Sequence, residues 1–169
     1  QTVIAHQLLM IVKSYGRARI DVTDPTNPGA ILQESDVLSS ISSILDQALS
    51  HLNASGSSYV FPLAGFDGFD SPSSFAKFNR AVKSAALVYS GDKSGALSAL
   101  AASYLDLCGN LNSGPKHVFS LSSGDQANGL YKIVDNNGDQ IIVHNSFIAD
   151  AEAGDNRVSN KAIIRSAPT

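Results

Sequence analysis

The chain has 169 residues, 43% of them hydrophobic and only 16% charged, which leaves too much apolar and too little charged character for a disordered chain. Twelve Lys and Arg against fifteen Asp and Glu give a net charge of -3, so the basic footprint of a non-specific nucleic-acid binder is missing. The single cysteine, Cys108, excludes an intrachain disulfide, and no apolar run approaches the ~20 residues of a membrane span.

The chain opens at Gln1-Thr2-Val3-Ile4-Ala5-His6 with no initiator Met, no basic n-region and no cleavage site. It starts inside an amphipathic pattern, with Val3, Ile4, Leu8, Leu9, Ile11 and Val12 at helical spacing. The expectation is an internal fragment of a longer protein. The pattern predicts a first helix from Thr2 to Tyr15, stopped by Gly16. Arg19 to Val22 reads as a short extended piece, and Asp24-Pro25-Thr26-Asn27-Pro28-Gly29 as a surface loop.

A second helix is predicted from a cap at Ser35 or Asp36 to Leu52, with Val37, Ile41, Ile44, Leu45, Ala48 and Leu49 as its buried stripe. Tyr59 to Asp70 is neither helical nor alternating, and its aromatics predict an ordered loop packed on the body. Ser71-Pro72 caps and opens a third helix, whose stripe runs from Phe75 to Tyr89 and which stops at Ser90-Gly91. Asp92 caps a fourth, with Ala96, Leu97, Leu100, Ala101, Tyr104 and Leu105 on its apolar face. So short a turn predicts that these two helices are antiparallel neighbours, a pair similar to a tetratricopeptide unit without its full signature.

The character changes at Cys108. Lys116 to Leu121 alternates like a strand. Tyr131–Val134 and Gln140–His144 flank an Asn-Gly turn and predict a β-hairpin. Ser146 to Glu152 reads as a short helix, Gly154 to Arg157 as a turn, and Ala162 to Arg165 as a last extended piece. The fold class expected is mostly α, built on tetratricopeptide-like helix pairs, with irregular loops and a β-hairpin in the C-terminal third. Residues 1–169 form a single partial domain, helical over 1–107 and rich in loops over 108–169.

Chemical motifs are sparse. Asp135-Asn136-Asn137-Gly138-Asp139 lacks the Gly and Glu positions of an EF-hand loop and fits the hairpin turn better. His6, His51, His117 and His144 show no metal-ligand spacing, so no metal is expected. No nucleophile elbow, P-loop or dinucleotide fingerprint occurs. Asp155 and Arg157 suit a local ion pair or a loop-fixing hydrogen bond rather than catalysis. The candidate ligand-binding residues are the loop aromatics Tyr59, Phe61, Phe66 and Phe69, because sugars stack their C–H faces on such rings. The competing reading is that these rings staple the loop to the helices.

Several stretches, taken in order, resemble the middle of a RagB/SusD-type protein. They are Asp24 to Ile31 with the following helix, Phe61 to Phe69, and Ser71 to Phe75. The likeness is densest over Phe78 to Lys83, Val88 to Asp92 and Ala96 to Leu100, and it continues at Ser123 to Asp125 with Asn128 and at Asp150 to Arg157. The chain covers about a third of a typical member.

The resemblance implies part of a SusD-like α superhelix. It also implies a nutrient-binding lipoprotein on the outer face of a bacterial outer membrane, whose anchor lies outside this chain. Such a protein is not an enzyme and uses no cofactor. It binds an oligosaccharide, or in some members a peptide or other nutrient, and delivers it to a SusC-type TonB-dependent transporter. The alternative is a helical-repeat protein-interaction module without sugar binding, and a third reading is a hydrolase completed by residues elsewhere.

Overall fold

The computed structural model describes residues 1–63, 65–110, 113–122, 126–131 and 142–163, without the Arg157 side chain. The chain is mostly helical and divides into two compact units, residues 1–118 and 119–169.

In the first unit, α1 spans Thr2–Tyr15 and ends where Gly16 turns left-handed, at φ 67°. That conformation costs glycine little and a side chain much. Thr2, Ala5, Leu8, Leu9 and Val12 face inward. Strand β1 (Arg17–Arg19) pairs antiparallel with β2 (Ile31–Gln33) in the register Arg17 to Gln33 and Arg19 to Ile31. The Arg19 guanidinium donates to the carbonyls of Pro28 and Gly29 and so ties down the loop between the strands. This ribbon differs from the single extended piece expected at Arg19–Val22. Three-residue strands are too short for alternation to register in sequence, and an eleven-residue connection carries no hairpin-turn signal.

Helix α2 (Glu34–Ala54) buries Val37, Leu38, Ile41, Leu45 and Ala48. It begins at Gln33 with no side-chain cap, so neither Ser35 nor Asp36 caps it. Both already lie in the first turn, where the Asp36 carboxylate favours the positive end of the helix dipole. Helix α3 (Pro72–Tyr89) starts with a capping box: the Ser71 hydroxyl accepts from the Ser74 amide, and the Ser74 hydroxyl accepts from the Ser71 amide. Helix α4 (Lys93–Ala101) is capped by Asp92, which accepts from the Gly95 amide at 2.9 Å. It ends a turn short of Tyr104 and Leu105, its expected apolar positions. Gly91, at φ 81°, makes the tight reversal that brings α4 back along α3. There Ala96 and Ala99 permit close approach, and the buried Ser84 hydroxyl donates to the Ala96 carbonyl at 2.9 Å.

The core lies between α1, α2 and α3, and its one wholly buried amide is Asn79. Asn79 Nδ2 donates to Thr2 Oγ1 at 2.9 Å and to the Leu45 carbonyl at 3.1 Å, and its Oδ1 accepts from Arg80 Nε and Nη2. Arg80 reaches on to Asp46 at 3.1 Å, where Lys83 also lands at 2.5 Å. Three helices are thus joined by one saturated polar chain, which removes the cost of burying the amide.

In the second unit, α5 (Ser146–Ala149) and α6 (Asn156–Lys161) are short. None of the unit's described residues is fully buried. Asn156 and Arg157 open α6 rather than complete a turn. Near the end of the first unit, Lys116 makes a single bridge to Asp67 of the same unit, and Lys116–Leu121 forms no strand. The expected hairpin, its Asp135–Asp139 turn and the piece beyond Ile163 lie outside the described residues.

Candidate functional site

The segment after α2 crosses the helical body, and its rings are not equivalent. Phe66 sits edge-on to Phe75 at 5.1 Å and against Phe78 at 5.2 Å. Two local turns hold it, with the Phe66 amide donating to the Leu63 carbonyl and the Phe69 amide to the Phe66 carbonyl. Phe69 meets Tyr104 edge-on at 4.9 Å. The Asp67 amide donates to the Lys116 carbonyl, pinning the same stretch. Phe66 and Phe69 therefore hold the loop on the body, as the stapling reading has it.

Tyr59 and Phe61 are arranged differently. Their rings stack on each other at 5.3 Å and 20°. Tyr59 touches α3 through an edge contact with Phe75 at 6.4 Å, while Phe61 keeps 56% of its surface exposed. The pair stands beside a groove of about 460 Å³ between the start of α1, the end of α2 and the loop, within the ~300–1,000 Å³ of small-molecule sites.

The groove floor is apolar, formed by Ala48, Leu52, Leu63 and Phe75. Its polar lining residues are Gln1, Thr2, His51, Ser55 and Tyr59. The Ser55 hydroxyl donates to the Leu52 carbonyl at 2.7 Å and keeps its lone pairs for a ligand. Burial raises the Tyr59 phenol above its usual range, so at neutral pH it is a hydrogen-bond donor. No Asp, Glu, Lys or Arg side chain lines the groove among the described residues.

The four named aromatics thus divide into two at the groove and two that anchor the loop. Sequence reasoning placed Phe75 in the core stripe of α3 and saw His51 only as an isolated histidine. Their presence at the groove depends on where α2 ends relative to α3, which no local pattern encodes. The other histidines lie elsewhere: His6 is edge-on to Phe78, His117 lies near Gly65, and His144 bonds Ser146. Among the described residues no three His, Cys, Asp or Glu side chains gather to hold a metal ion, and no helix is long and apolar enough to cross a membrane. Cys108 is exposed. Comparison with known proteins finds no matching family model, no matching curated protein and no matching solved structure.

Proposed function

We propose that the protein captures a sugar ligand for import, as part of a RagB/SusD-like lipoprotein on the outer face of a bacterial outer membrane. It would hand an oligosaccharide to a SusC-type TonB-dependent transporter and catalyse no reaction. The observation that carries the binding step is the stacked Tyr59–Phe61 pair, with Phe61 exposed at the mouth of the groove. An exposed ring backed by a second ring is a rigid platform for the C–H face of a pyranose. The helices serve as scaffold, with α3 and α4 as one tetratricopeptide-like pair in a superhelix. The family assignment itself rests on the sequence resemblance.

A glycan array probed with the protein tests this reading. Binding to at least one neutral oligosaccharide is expected, and Phe61→Ala should abolish it without loss of fold. Silence across the array, with the protein folded, would overturn it.

The second reading, a protein-interaction module, draws on a separate feature. Helix α1 leaves Val3, Ile4, Met10, Ile11 and Tyr15 exposed on the side away from its buried stripe, and a helix apolar on both sides is normally covered. Co-purification with a transporter and no glycan binding would favour it.

A further inference from the structure

The groove's chemistry is more selective than sugar binding in general. A bare hexose carries hydroxyls around its rim, and each one buried without a partner costs binding free energy. The floor made by Leu52, Leu63 and Phe75 offers such a hydroxyl no partner, and the neighbouring Thr2 hydroxyl already accepts from Asn79. The other hydrogen-bonding side chains of the lining are those of Gln1, His51, Ser55 and Tyr59. The His51 ring and the Tyr59 hydroxyl make no hydrogen bond among the described residues, and Ser55 retains acceptor capacity.

The lining also lacks charged side chains among the described residues. A uronic acid, a sulfated sugar or a free amino sugar would bring a charge that no Asp, Glu, Lys or Arg side chain of the lining meets. The complementary ligand is neutral, has one flat apolar face, carries polar groups at its periphery and bears a small apolar substituent.

We infer that the groove takes a neutral acylated sugar of the N-acetylhexosamine type. Its ring lies on Phe61, its acetyl methyl sits between Leu52, Leu63 and Phe75, and its amide and hydroxyls meet His51, Ser55 and Tyr59. This rests on the sugar-capture reading and adds the substituent that the site selects.

The test is calorimetric titration of the protein with three β-1,4-linked tetrasaccharides that share one backbone geometry: chitotetraose, cellotetraose and fully deacetylated chitotetraose. The acetylated sugar should bind at least about tenfold more tightly than either other, the discrimination typical of one small apolar group in a fitted pocket. Leu63→Phe, which fills the floor, should erase that advantage, bringing the chitotetraose affinity down to that of cellotetraose. Equal affinity for chitotetraose and cellotetraose would overturn the acyl inference while sugar capture stands. Preference for the deacetylated cation would overturn it too. Binding of none of the three would overturn it, and a glycan array silent as well would remove the sugar-capture reading. If Leu63→Phe fails to fold, the three affinities of the unsubstituted protein decide.

Discussion

The two halves of the segment between α2 and α3 both carry a pair of aromatic rings, and the rings are packed differently. Around Phe66 and Phe69, each ring meets a ring of the body edge-on, and backbone bonds hold the turns between them. Around Tyr59 and Phe61, the rings meet each other, and one face of the pair is left to solvent. Aromatic content alone therefore does not mark a binding surface. What distinguishes the halves is how far a ring is covered: Phe66 and Phe69 are half-buried against Phe75, Phe78 and Tyr104, whereas Phe61 stacks on its loop neighbour Tyr59 and stays exposed.

The difference can be broken most severely at the residue both halves share. Phe75 contacts Tyr59 and Phe66 and is only 7% exposed. Phe75→Ala should cost about 3–5 kcal/mol and release the whole segment, read as a lowered denaturant midpoint and as proteolysis between residues 55 and 71. Phe66→Ala removes one half-buried staple and should cost about 2 kcal/mol, measured by the same unfolding curve. Phe61→Ala should change stability by less than about 0.5 kcal/mol while eliminating ligand binding. A large loss of stability there would place Phe61 among the staples.

Acid offers a contrast on a different part of the body. Partial burial pushes the Asp46 carboxyl upward, but hydrogen bonds and charge from Lys83 and Arg80 outweigh it, and the group titrates below its usual value. A depressed carboxylate contributes stability above its unfolded pKa, near 4, and loses it as pH falls through the lower folded value. The side chain is 55% exposed, so solvent screening limits the contribution to less than about 1 kcal/mol. Unfolding curves at pH 6 and pH 3 should show this loss in the native protein and a smaller one in Asp46→Asn, with the Tyr59–Phe61 pair unaffected.

The helices were legible because their signals are local. Gly16, Ser71-Pro72 and Asp92 each act within one turn of helix, and the apolar stripes of α2 and α3 repeat often enough to show their period. The uncapped start of α2 and the β1–β2 ribbon were not, since the first lacks a cap and the second is three residues long on each side. The role of Asn79 was also hidden. Its partners lie 77 and 34 residues away, and nothing about an asparagine between Phe78 and Arg80 announces full burial. At the candidate site, the aromatic loop could be named from composition. The division between Tyr59–Phe61 and Phe66–Phe69 required the ring contacts with α3 and Tyr104.

The chain contains no tryptophan, and the most exposed ring of the segment between α2 and α3, Phe61, lines the candidate site. Phe61→Trp would therefore install a lone indole beside the groove, against a background of tyrosine emission that can be avoided by exciting at the red edge. Stacked on Tyr59 and half open to water, that indole would shift its emission to the blue when a sugar face covers it. The composition that deprives the protein of the commonest sugar-stacking residue makes the site optically addressable through a single codon.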